Sequence, residues 1–126
     1  MLDQAQAELP NECCGLLAGR LTDGVGRVEM RYPLVNELAS PREYNAAPKS
    51  LIAADKDMRA RGIDLLAIYH SHPTTAPAPS KKDLERNFYG MLVMFLIIGL
   101  KDAQPDVRGW WLAESDFREA IWDIID

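Results

Sequence analysis

The apolar and polar positions along this chain change period several times, and each change predicts a different element. Leu2–Leu9 is rich in the helix formers Gln, Ala and Glu and stops at Pro10, which predicts a short N-terminal helix. Cys13–Gly19, CCGLLAG, is an apolar run of strand length, and Val25–Leu34 resumes with alternating character up to Pro33 and the polar Asn36 region. Asp23-Gly24 lies between them and has turn composition, so the two runs predict a hairpin. Ser40–Pro48 reads as loop. Lys49–Arg61 then carries Leu51, Ile52, Ala54 and Met58 at roughly helical spacing and ends before Gly62, a residue that suits a helix C-terminus.

Asp64–Tyr69, DLLAIY, predicts a short strand that delivers His70 and His72, the only two histidines. The following PTTAPAP excludes regular structure until Ser80, where another helix is predicted to start. Strands follow at Met91–Leu100, Val107–Ala113 and Phe117–Ile125. The longest apolar run, Met91–Ile98, is far short of the roughly 18 to 20 residues that span a bilayer, so it reads as a buried strand. With no internal repeat or linker, the order predicts one mixed domain over residues 1–126.

Composition narrows the function classes. A chain of 126 residues, 48% hydrophobic and 26% charged, can bury a true core. Its net charge of −5 argues against a surface that coats nucleic acid, which needs clustered Lys and Arg. The start MLDQAQAELP lacks both the basic and the apolar part of a secretory signal, so the cytoplasm is the expected location, with no membrane anchor. Cys13 and Cys14 are neighbours, which an extended strand points to opposite faces. They are expected to be packing thiols rather than a disulfide.

The chemistry concentrates in HSHPTTAPAPSKKD. Residues i and i+2 of a strand share a face, so His70 and His72 present both imidazoles to one side while Ser71 points to the other. That suits two ligands on one ion, and Asp83, one helical turn after Ser80, is the candidate third ligand. Each fragment also has an ordinary explanation. Ser80-Lys81-Lys82-Asp83 has the S-x-x-D form of a helix cap, and a lone His-x-His can end a strand as two hydrogen-bonded imidazoles.

The joint pattern of Glu12 in PNECCGLLAGR with His70, His72, Ser80 and Asp83 in HSHPTTAPAPSKKD resembles the signature of the JAMM, or MPN-plus, metalloproteases at every signature position. Softer similarity covers Pro33-Leu34-Val35-Asn36, Ser40-Pro41-Arg42 and the helix leading through Arg61-Gly62. The resemblance implies an α/β (α+β) fold: a mixed, curved sheet flanked by helices and similar to cytidine deaminases. It implies one zinc ion (Zn2+) per chain on His70, His72 and Asp83, Glu12 as general base, and Ser80 as hydroxyl donor to the tetrahedral intermediate.

The implied activity is that of a metallopeptidase, a deubiquitinase-like isopeptidase cutting after the C-terminal Gly-Gly of a ubiquitin-like protein or sulfur carrier protein. A tail without side chains suits a narrow groove, edged by Ser40–Pro48 or by the Thr74–Pro79 loop. A homodimer is left open. The rival reading is a non-catalytic MPN scaffold; such relatives usually lack one of the His, His, Asp and Glu positions, all present here. A zinc deaminase would need P-C-x-x-C ligands, which are absent, and a thiol mechanism would need a histidine to spare for Cys13 or Cys14.

Overall fold

The computed structural model of the chain describes residues 1–41, 43–85 and 92–123. The elements run α1 (Leu2–Ala7), β1 (Cys14–Thr22), β2 (Val25–Leu34), α2 (Pro48–Arg61), β3 (Asp64–His72), α3 (Lys81–Glu85), β4 (Met94–Gly99), β5 (Asp106–Leu112) and β6 (Phe117–Ala120). The strands form one open sheet in the order β2-β1-β3-β4-β5-β6, antiparallel throughout except for the parallel pair β3 and β4. A parallel pair cannot be joined by a tight turn, and the crossover between these two strands contains α3.

Local chemistry explains the element ends. Asp23 and Gly24 both have positive φ, 53° and 77°, as a two-residue hairpin turn requires, and Thr22 pairs with Val25 across it. Helix α2 opens on Pro48, whose missing N–H is not needed in a first turn, and closes on Gly62 in the left-handed conformation. Of the four apolar positions that predict α2, Ala54 and Met58 are buried, while Leu51 and Ile52 are exposed.

The sheet separates two packed layers. Cys14, Leu16, Ile68 and Phe95 pack under Ala54 and Met58 of α2, whereas Cys13, Leu17, Tyr69, Leu96 and Ile98 pack with Ala5 of α1. The adjacent cysteines fall on opposite faces as unpaired buried thiols. Burial pushes both thiols above their ordinary value, Cys14 to about 12, so neither is a poised nucleophile.

Two strand predictions are too long. The Met91–Leu100 strand begins at Met94 and ends at Gly99, with Leu92 88% exposed; Met91 lies outside the described residues. The Phe117–Ile125 strand stops at Ala120, and Ile121 is 97% exposed; positions 124 and 125 lie outside the described residues. In the second case β6 pairs with Gly109–Leu112 of β5 and leaves the ladder at Ala120, although β5 itself runs on to Asp106. Apolar composition marks a strand but supplies no ladder for it. Among the described residues, no helix is long and apolar enough to cross a membrane.

Candidate functional site

Strand β3 lies in the middle of the sheet and is buried from Ala67 through His72. His70 and His72 share a face, and their Nε2 atoms stand 3.1 Å apart. The Asp83 carboxylate closes a triangle: one oxygen lies 3.2 Å from His70 Nε2 and the other 3.2 Å from His72 Nε2. Candidate ligand atoms of these three residues all lie within 4.8 Å of one another.

Each member is aimed by a neighbour. His72 Nδ1 lies 2.9 Å from the Ala76 carbonyl, which can only accept, so Nδ1 carries a proton, and in the neutral ring the Nε2 lone pair faces the cluster. The proline-rich loop that offers this carbonyl is itself pinned. Trp110 Nε1 donates to Pro77 O at 2.9 Å, and Gly99 lies so close beneath that a Cβ there would sit 2.8 Å from the Pro77 ring. His70 is fully buried and stacks on Tyr44 at 4.7 Å. Its Nδ1 has no hydrogen-bond partner among the described residues.

Asp83 sits in the first turn of α3. Its N–H donates to Ser80 Oγ at 3.1 Å, and the Ser80 N–H donates back to Asp83 Oδ2 at 2.8 Å. The helix cap and the cluster are thus one arrangement, since the cap aims the carboxylate. Burial would raise the Asp83 pKa, but His70, His72 and the Ser80 N–H outweigh it and hold the carboxyl well below the usual range. In His72, burial opposes the charged form, and the hydrogen bonds to Asp83 and Ala76 overcome it, so its pKa is raised.

Two imidazole nitrogens and a carboxylate converging on one point are a donor set without a shared proton donor adequate to all of them. A divalent cation satisfies all three. Tetrahedral ligands at about 2.0–2.1 Å from zinc are spaced by about 3.3 Å, close to the separations seen, and an N, N, O set suits zinc.

Glu12 reaches the same place through the β1–β3 register. Cys14 pairs with His70, Ser71 N–H donates to Cys13 O at 3.1 Å, and Cys13 N–H donates to Ser71 Oγ at 2.8 Å. Continued by one residue, that register sets Glu12 opposite His72, on the histidine face. Glu12 is only 4% exposed, and burial pushes its pKa up to about 8, against a downward pull from His72. Such a carboxyl can hold a proton or release it near neutral pH. Ser71, as its position on the strand predicts, faces away and ties β3 to β1.

Three residues had no role at the site assigned from the sequence. Tyr44 is the stacking partner of His70, Glu43 pairs directly with Lys82 beside Asp83, and Asn36 is a buried hub between Glu12 and the 43–45 stretch. Composition reads Ser40–Pro48 as loop and as one of two candidate groove edges, and shows nothing of the contacts that Glu43 and Tyr44 make beside the cluster.

The chain matches the family model Prok-JAB, prokaryotic homologs of the JAB domain, over residues 1–113. It belongs to the Prok-JAB family. This agrees with the resemblance carried by Glu12, His70, His72, Ser80 and Asp83. The chain is 40% identical over 90 residues to a probable TtuB-protein conjugate cleaving protease of Thermus thermophilus, covering 68% of this chain and 57% of that one. It is 37% identical over 117 residues to a desampylase of Haloferax volcanii, covering 91% and 79%. A protein from Desulfitobacterium hafniense solved in solution superposes with a TM-score of 0.85 at 37% identity, covering 95% of this chain and 82% of that one.

Proposed function

We propose that residues 1–126 form one zinc-dependent peptidase domain that cuts the peptide or isopeptide bond after the C-terminal Gly-Gly of a ubiquitin-like or sulfur carrier protein in the cytoplasm. The observation that carries this reading is the convergence of His70, His72 and Asp83 on one point, with a buried Glu12 near enough to feel the charges of His72 and Asp83. The relatives named as a probable TtuB-protein conjugate cleaving protease and as a desampylase support the substrate class. One Zn2+ per chain would sit on His70, His72 and Asp83; bound there, it acidifies water and polarises a carbonyl.

The protein supplies the rest. Glu12, buried beside the cluster, takes a proton from the attacking water on a carboxylate oxygen and delivers it to the leaving amine. Ser80 spends its oxygen lone pair on the Asp83 N–H, which leaves its hydroxyl hydrogen to donate to the oxyanion. The Ala76 carbonyl keeps His72 in the tautomer whose Nε2 can ligate.

The test is to load the protein with zinc and incubate it with a ubiquitin-fold carrier extended past Gly-Gly. Mass spectrometry is expected to show cleavage after the second glycine and one zinc per chain. Intact carriers across a panel, with zinc bound, would overturn the reading.

A further inference from the structure

Asn36 follows β2, is 8% exposed, and spends its whole side-chain amide on backbone. Nδ2 donates to the carbonyls of Glu12 and Glu43, both at 3.0 Å, and Oδ1 accepts from the N–H groups of Leu38 at 3.2 Å and Asn45 at 3.0 Å. Two donated and two accepted bonds are the full capacity of an amide. The partners lie on three stretches: the approach to β1, the turn after β2, and residues 43–45.

None of those stretches is held by a helix or strand ladder of its own, since β1 begins only at Cys14 and α2 only at Pro48. Backbone contacts radiate from the same point. Glu12 N–H donates to Ser40 O at 2.8 Å, Glu37 N–H to Asn45 O at 2.9 Å, and Asn36 itself bridges to Ala46. The tied stretches carry the groups around the cluster: Glu12 on one, Tyr44 against His70 and Glu43 against Lys82 on another.

We propose that Asn36 is a positioning residue, which touches neither substrate nor metal and acts by holding the Glu12 carboxyl in register with His70, His72 and Asp83. This rests on the peptidase reading. The requirement is for an amide specifically. A carbonyl at Glu12 can be held only by a donor, and the N–H groups of Leu38 and Asn45 only by an acceptor. Asp, of the same shape, keeps the acceptors and loses both donors. A carboxyl displaced by about 1 Å is enough to cost on the order of 100-fold in rate.

The experiment compares Asn36→Asp and Asn36→Ala, alone and in a Glu12→Gln background, in zinc-loaded protein. Each single variant is expected to keep zinc at one per chain and lower kcat by roughly 10- to 100-fold. In the Glu12→Gln background, the same substitutions should change the residual rate by less than about threefold, because the group they position is already gone. Equal fold-losses in both backgrounds, zinc lost along with activity, or an unchanged kcat would each overturn the proposal.

Amide hydrogen exchange gives a second readout that needs no substrate. Exchange at Glu12 should quicken at least about tenfold in Asn36→Asp while β3 and β4 stay protected. Unchanged exchange at Glu12, or loss of protection throughout the sheet, would overturn it. Should the wild-type protein cleave no tail, the peptidase reading falls, and exchange still decides whether Asn36 holds Glu12.

Discussion

Two pairs of polar side chains alternate along β3. Tyr69 and Ser71 face the α1 layer, and His70 and His72 face the other side; all four are buried. On the first face every group is answered. The Tyr69 hydroxyl meets Gln4 and Arg31, Gln4 Nε2 donates to Cys14 O at 3.0 Å, and Ser71 Oγ accepts from Cys13 N–H. On the second face, His70 and His72 aim their ring nitrogens at each other and at Asp83. A closed network stabilises a strand, whereas convergent acceptors call for something to fill the middle. Burial alone does not distinguish the two faces; the direction of the lone pairs does.

That contrast breaks most sharply at the ligands. Asp83→Asn and His72→Ala are each expected to lower zinc affinity by more than about 100-fold, measured as metal per chain after dialysis, and to abolish cleavage. Next comes Glu12→Gln, which should keep one zinc per chain and lose about 10²- to 10⁴-fold in kcat. Near-native turnover there would remove Glu12 as the base. Ser80→Ala should cost about 10²- to 10³-fold in kcat through the lost donor, and about 1 kcal/mol in stability through the lost cap.

The opposite face should respond in stability and leave the metal alone. Tyr69→Phe is expected to lower unfolding free energy by about 1–2 kcal/mol, with zinc content and kcat near wild type. A variant that lost zinc would show the two faces to be coupled.

A further contrast is a pH slope in the metal-free protein. Glu12 has an ordinary value of 4.5 and a folded value of about 8, so between those limits the folded state holds a proton that the unfolded chain has released. Stability therefore falls as pH rises through that window. His72, raised by Asp83 in spite of burial, adds to the same slope: its contribution is complete below 6.5 and is lost as pH rises through its folded value. Asp83, held low, acts in the opposite sense, and its contribution is lost only as pH falls below its ordinary 3.8. Denaturant midpoints between about pH 5 and pH 8 should decline in wild type and decline less in Glu12→Gln.

Much of the fold is legible in the chain because its signals are local. Asp23-Gly24 specifies its turn, Gly62 its helix end, and the alternation of side chains on β3 puts His70 and His72 together and Ser71 opposite. The cap at Ser80 is legible too, since it spans three residues. Strand ends are less so: β4 starts at Met94 opposite Ala67 and β6 leaves its ladder at Ala120 opposite Gly109, and where a ladder stops is not a local property.

The sequence by itself determined the kinds of side chain available for the chemistry and the short-range geometry of each fragment, because φ/ψ preferences, strand alternation and helix caps act within a few residues. Only the tertiary structure decided that Glu12 is buried beside His72 and Asp83, that Tyr44 lies on His70, and that one Asn36 amide ties Glu12 to residues 43–45. Those contacts join residues tens of positions apart. They arise from the register of β1 on β3 and from the need of buried polar groups to find partners, which no local pattern encodes.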